Sequence, residues 1–249
     1  MEVANSLRDA DLSLFSNHRD LEYGVEKLGV DPGRTGVFAN GIPEPFLNLD
    51  FEQTPEAEDS VIRIALVATY IPRKVIHHGV PALNKILARY SRVEVSFMGT
   101  GCPEAQVYAD FEPFVRDRMR VSPRFSHETL PDLLRGYHIK LFPTLSEGFS
   151  LALTETMACC LAPVTTTTPG PMEIVRDGHN GLLVPPRDSH AIEQALESLI
   201  LDRPYLDRLR RNAYATAQNY SWERIARDNL GFYEEALFQK RGFPKSLLR

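Results

Sequence analysis

The sequence predicts an α/β fold, a Rossmann-like parallel sheet with helices on both faces. Two observations carry this. Val61–Ala68, Val93–Met98 and Ile139–Phe142 are near-continuous apolar runs, as expected of strands covered on both sides. Between and beyond them the period changes to that of a helix. Leu83, Ile86, Leu87 and Tyr90 recur at i, i+3, i+4 and i+7, and Ile192, Ala195, Leu196 and Leu199 share another face. Alternation of this kind needs a parallel sheet, and such sheets bind ligands at the carboxyl ends of their strands. Lys74, Ser126 and Glu147 each follow a predicted strand directly.

In chain order, Ala10–Phe15 reads as a strand, Arg19–Leu28 as a helix and Arg34–Phe38 as a second strand. Ala39-Asn40-Gly41-Ile42-Pro43 then breaks the chain with turn formers. Gln53–Ser60 is acidic, contains Pro55 and reads as a solvated linker. After Val61–Ala68 come Arg73 and Lys74, and Gly79 with Pro81 should disturb a helix starting at once. Val93–Met98 ends in Gly99-Thr100-Gly101, a glycine pair rather than a dinucleotide fingerprint, so no nicotinamide site is read there. Arg118–Val121 is a short strand, and Ser126 is an N-cap for a helix over Glu128–Tyr137. Ile139–Phe142, closed by Pro143, leads through the loop Thr144–Gly148 into a helix over Phe149–Cys160. Leu182–Val184 is a last short strand. Asp188 or Ser189 caps the next helix, Pro204 starts another, and Ser221 caps a third over Trp222–Phe238. Arg241–Arg249 is a basic tail expected to fray. The run Thr165–Thr168 is the one low-complexity segment.

The 249 residues are 43% hydrophobic and 24% charged, an ordinary globular balance. A net charge of -5 argues against a general nucleic-acid binder. No apolar run approaches the roughly 18 residues of a spanning helix, and the N-terminus lacks a secretory h-region. Cys102, Cys159 and Cys160 make no disulfide framework. The expected compartment is the cytoplasm, free or peripheral at a membrane. His77-His78, His127 and His138 show no metal-ligand spacing and read as surface or satisfied histidines.

The chemistry concentrates in Ile139–Gly181. At Gly148 the backbone can approach a ligand without a side chain in the way. The first amides of the following helix lack partners within it and its dipole is positive there, so it can hold a phosphate. Glu147 stands just before that helix. Glu155 lies within it among Leu151, Leu153, Met157 and Ala158, where an unpaired charge is expensive. The plain alternatives are a dipole-favoured Glu147, a Glu155 that reaches a neighbouring arginine, and a solvated Lys74.

Glu147-Gly148-Phe149-Ser150 followed by Glu155, with seven residues between the glutamates, resembles the Glu-x7-Glu motif of family 4 retaining glycosyltransferases. Met157-Ala158-Cys159, Pro163-Val164, Gly170-Pro171, Glu173-Ile174-Val175, Asp177-Gly178 and Asn180–Pro185 continue the resemblance in order. Asn40-Gly41-Ile42 is similar to the family's crossing between its two domains, and Tyr220–Glu223 to its closing helix. The resemblance implies the C-terminal half of a GT-B fold. Residues 1–45 would be the end of an N-terminal acceptor domain, 46–220 the nucleotide-sugar-binding domain, and 221–249 the closing helix and tail.

By the same resemblance Glu147 is the catalytic carboxylate that orients the donor sugar. Glu155 accepts both ribose hydroxyls, and Gly148, Phe149, Ser150 and Leu151 offer backbone to the donor. Lys74 stands at the family's lysine, whereas Ala68-Thr69 replaces its Gly-Arg, leaving Arg73 to supply the second cation. The loop ending at Ser126 would lie over the base. No cofactor and no metal are expected. The implied function is transfer of a sugar from a nucleotide-sugar donor to a glycan or lipid-linked acceptor with retained configuration. Since the acceptor half is expected to be missing, the chain would be a fragment, be completed by a separate acceptor-domain subunit, or bind nucleotide-sugar without transfer. The last is the leading alternative. A Rossmann oxidoreductase is a third reading that the glycine pattern disfavours.

Overall fold

In the computed structural model, which describes residues 2–47, 49 and 61–240, five of the six positions of Ile62–Val67 are buried, as the run predicts. The chain starts with α1 (Glu2–Asp9), β1 (Ser13–Phe15), α2 (His18–Leu28) and β2 (Thr35–Val37). It continues through β3 (Ile62–Val67), α3 (His77–Arg89), β4 (Val93–Met98), α4 (Glu104–Ala109), β5 (Met119–Ser122), α5 (Leu130–Leu133) and β6 (Ile139–Phe142). Then follow α6 (Leu151–Ala158), β7 (Ala162–Thr166), α7 (Pro169–Ile174), β8 (Leu182–Val184), α8 (Ser189–Leu201), α9 (Arg203–Ala217) and α10 (Trp222–Lys240). The expected linker Gln53–Ser60 and tail Arg241–Arg249 lie outside the described residues.

Six strands form one parallel sheet in the order β5-β4-β3-β6-β7-β8, and β1 and β2 pair in parallel as a separate ribbon. The chain lays down β3, moves outward through β4 and β5, and returns to the other side of β3 with β6. That reversal opens a crevice beyond the carboxyl ends of β3 and β6, where open α/β sheets bind ligands. One core packs Ile64, Leu66, Ile139 and Leu141 against α3 and α8. On the opposite face Ala65 and Val67 meet Leu153 and Met157 of α6 and Ala213 and Ala217 of α9. The sheet is therefore covered on both sides, as its apolar strands require.

The low-complexity run Thr165–Thr168 is structured in part: Ala162–Thr166 forms the fully buried β7, in line with the strand preference of β-branched residues. Three local expectations are corrected. Ser126 does not cap a helix over Glu128–Tyr137. A 3-10 turn over His127–Thr129 leads only to Leu130–Leu133, and the Ser126 side chain makes no capping bond. Pro131 supplies no amide to continue the turn, and Gly136 at φ +78° redirects the chain. The predicted helix Phe149–Cys160 is shorter at both ends, with Cys160 in the left-handed region at φ 65°, a conformation usual for glycine after a helix. Finally, Pro81 does not break its helix. A wide π-type turn over Pro72–Ile76 takes up the irregularity, and Pro81, fifth in α3, forfeits only the bond to the His77 carbonyl.

The two parts of the chain touch where it passes between them. Ile42 bridges to Ser221 in parallel and its amide donates to the Tyr220 carbonyl at 2.8 Å. At Gly41 an added Cβ would stand 2.8 Å from the Trp222 Cα, so the close crossing needs glycine. Beyond it α10 packs Phe232 on Gly36 but leaves Leu230, Tyr233 and Leu237 exposed. Among the described residues no helix is long and apolar enough to cross a membrane.

Candidate functional site

The loop after β6 is fixed from beneath by the threonines of β7. Thr165 Oγ1 donates to the Phe142 carbonyl at 2.9 Å, and Thr166 Oγ1 to the Thr144 carbonyl at 2.6 Å. The loop after β3 closes on it from the other side of the crevice: the Leu145 amide donates to the Arg73 carbonyl at 2.9 Å. Glu147 is thereby held between the loops. It accepts from Thr144 Oγ1 at 2.8 Å and from the Lys74 ammonium, with Arg73 Nη1 at 3.8 Å. Arg73 spends its closer bond, 2.7 Å, on the Ser146 carbonyl. Lys74 also lies 5.0 Å from the Phe142 ring centroid, within cation–π reach.

Gly148 and Phe149 lead into α6 with Ser150 at its N-cap and Leu151 in its first turn. The Phe149 ring packs 5.9 Å from that of Tyr220. Ser150 is buried, and its Oγ is the one buried side-chain oxygen or nitrogen without a partner among the described residues. Glu155, one turn further along α6, is 7% exposed. Its partner is a histidine rather than the arginine weighed from sequence: His127 Nε2 lies 2.7 Å from Glu155 Oε1. The His127 ring is 5.4 Å from that of Phe46.

The structure thus gathers Arg73, Lys74, Glu147, Gly148, Phe149, Ser150, Leu151 and Glu155 around one crevice end. Ser126 reaches it only through its neighbour His127. Two participants carry no site signal in the sequence, where His127 reads as a surface or satisfied histidine. His127 carried no spacing signal, because its partner is 28 residues away. Lys140 was hidden inside an apolar run, yet it is fully buried, with its ammonium donating to the Val67 carbonyl at 2.9 Å. A polar residue inside a strand covered on both faces was the available clue. Burial, and next the charge of Lys74, push its pKa down to about 7, against the pull of Glu155 and Glu147.

From the ribbon side Asn17 uses both ends of its amide. Its oxygen caps α2 by accepting from the Asp20 amide at 2.8 Å, and its nitrogen donates to the Gly148 carbonyl at 3.0 Å. The His18 amide donates to Glu173 Oε1, and His18 Nδ1 meets Glu173 Oε2, each at 2.8 Å. Gly170 in α7 backs the same loop so closely that an added Cβ would stand 2.7 Å from the Gly148 carbonyl oxygen and 3.0 Å from that of Glu147. Gly170→Ala should therefore displace the loop that carries Glu147. The expected result is a loss of roughly 1–3 kcal/mol in thermal unfolding, as for overpacking elsewhere. Native stability in that variant would show that the loop yields freely.

A six-stranded parallel sheet of this order, with a helix N-terminus and paired charges at its reversal point, defines a Rossmann-like α/β domain. The chain belongs to the family described as Glycosyl transferases group 1, whose model matches residues 50–216. A D-inositol 3-phosphate glycosyltransferase of Salinispora tropica is 33% identical over 127 residues, 51% of this chain and 26% of that protein. Among solved structures, a sucrose-phosphate synthase from Thermosynechococcus elongatus superposes with a TM-score of 0.76 at 21% identity, covering 96% of this chain and 61% of that one. Anabaena Alr3699/HepE, solved in complex with UDP-glucose, gives 0.74 at 18% identity, covering 92% of this chain and 64% of that one. These likenesses show the GT-B glycosyltransferase fold. The chain spans less than two thirds of the length of these relatives.

Proposed function

We propose that the chain is the donor-binding half of a retaining family 4 glycosyltransferase, holding a nucleotide-sugar while its sugar passes to an acceptor hydroxyl with unchanged anomeric configuration. The observation that carries this reading is the partnerless buried hydroxyl of Ser150 at the N-cap of α6, set between Glu147 and Glu155. Buried polar groups are almost always hydrogen-bonded, and an orphan at a helix N-terminus is suited to an anionic ligand.

The remaining roles follow from charge and position. The amides from Phe149 to Leu151, with Lys74 and Arg73, stabilise negative charge on the departing diphosphate, an electrostatic role that needs no metal. Glu155 accepts the ribose hydroxyls, and the loop from Ser126 lies toward the base. Glu147 orients the sugar. Because Lys74 is paired with Glu147, donor entry exchanges partners: the ammonium turns to the diphosphate and the carboxylate to the sugar hydroxyls. A nucleotide-sugar donor is supported by the UDP-glucose complex of the Anabaena relative.

The domain assignment is part of the same proposal: residues 1–45 belong to the acceptor side, 46–220 to the donor domain and 221–249 to the closing element. The share of its relatives that the chain spans favours an acceptor half supplied outside these residues, in the same polypeptide or a separate subunit. The exposed apolar residues of α10 give it a surface to cover. A nucleotide-sugar-binding subunit without turnover is the second reading, separated from the first by supplying the acceptor half and following product by NMR, which also reports the anomeric configuration.

Ser150→Ala tests the carrying observation. Removing an unsatisfied buried hydroxyl should leave stability unchanged or raise it, by up to about 1 kcal/mol, while nucleotide affinity falls about fivefold. Lower stability with native affinity would make the hydroxyl structural and remove the argument.

A further inference from the structure

Lys140 has no part in the roles above, and its setting is unusual for a lysine. It sits second in β6, paired in register with Ala65 of β3, so the two side chains share a face of the sheet. That face carries α6, and with it Glu155. The ammonium has no exposed surface, donates to the Val67 carbonyl and lies 5.2 Å from the Phe142 ring centroid. A charge there is costly unless opposite charges compensate it. The charged groups that act on it are Lys74 from the loop after β3, Glu147 from the loop after β6 and Glu155 from α6. His127 stands behind Glu155, on its Oε1. Burial and the like charge of Lys74 bring Lys140 to a pKa of about 7, where amine and ammonium coexist at neutral pH.

We propose that Lys140 is a positioning residue of the donor site that takes up a proton when a nucleoside diphosphate sugar binds and returns it when the nucleotide leaves. The inference rests on the donor reading above. The donor brings two negative charges to the start of α6. Lys74 turns toward them, which frees Glu147 from its cation. Both changes favour the ammonium of Lys140 over the amine, since added negative charge and lost positive charge stabilise the protonated form. One N–H bond forms at Nζ, the proton comes from solvent, and no other bond changes. The ammonium then holds the Val67 carbonyl more strongly, because a charged donor makes the stronger hydrogen bond. Val67 ends β3, and the loop that begins there carries Arg73 and Lys74. Protonation thus steadies the base of the phosphate-binding loop at the moment the phosphates arrive.

The test is calorimetric titration of the 249-residue chain at pH 7.5 with UDP-glucose and GDP-mannose, in buffers of different ionisation enthalpy. These sugar nucleotides do not titrate near that pH, so any dependence on the buffer reports the protein. The expected result is uptake of a fraction of one proton per donor bound. It should persist in His127→Gln and vanish in Lys140→Met, whose apolar side chain of similar length suits the buried position. Native affinity should fall between pH 7 and pH 9 by up to about tenfold per unit, and the methionine variant should bind weakly with a flat profile. A native chain that binds with no buffer dependence overturns the inference, whether or not the methionine variant folds. So does uptake that survives in Lys140→Met or disappears in His127→Gln. Absence of binding heat with both donors is a different failure, because it removes the donor reading itself.

Discussion

Glu147→Gln should leave affinity for the bare nucleotide close to native while weakening the nucleotide-sugar and reducing turnover by about a hundredfold or more, the effect of losing orientation at a reacting centre. The carboxylate sits in the loop after β6, and its side chain is 11% exposed. Its contacts with Lys74, Arg73 and Thr144 hold it at the mouth of the crevice rather than against Glu155 of α6. A neutral amide of the same shape keeps the bond to Thr144 but no longer balances two cations. Stability should fall by about 1–3 kcal/mol, since Lys74 is left mostly buried beside a neutral partner. Unfolding curves separate that loss from the functional one. Titration with UDP and UDP-glucose, followed by turnover with the acceptor half supplied, reads the rest. Equal weakening toward UDP and UDP-glucose would move Glu147 from the sugar to the phosphates.

Glu155→Ala should act in the opposite sense, weakening bare nucleotide and nucleotide-sugar alike. Two hydrogen bonds from ribose hydroxyls to a carboxylate contribute about 1.5–3 kcal/mol each, so loss of both lowers affinity at least a hundredfold. The carboxylate is nearly buried, but its partner His127 has a side chain 52% exposed and can turn to water. Stability should therefore change far less than affinity. Native binding in this variant would take Glu155 out of the site.

Much of this arrangement is legible in the sequence because it depends on short-range spacing. The strands at Ile62, Val93 and Ile139 announce themselves as apolar runs. Glu147, Gly148 and Glu155 belong to one stretch whose strand, loop and helix follow in order. What the sequence hides is pairing at a distance. His127 meets Glu155 only because the loop after β5 folds over α6, and no local pattern encodes that approach. Lys140 passes for one more member of a strand until the fold shows its side chain fully buried. The threonines of β7 read from sequence only as a low-complexity run, whereas Thr165 and Thr166 use their hydroxyls to hold the carbonyls of the site loop. The helix expected after Ser126 is cut short where Gly136 turns the chain at φ +78°, and Pro131 lies in the first turn of the short helix that forms.

The central claim is that the turn from β6 into α6 binds a nucleotide diphosphate. Calorimetric titration of the chain with UDP, GDP and their sugars measures this most directly, with Glu155→Ala titrated alongside. Saturable one-to-one binding to one nucleotide and its sugar, lost in the variant, is the predicted result and names the base. Binding to none of them by the folded chain, or equal binding by the native and variant proteins, would contradict the claim.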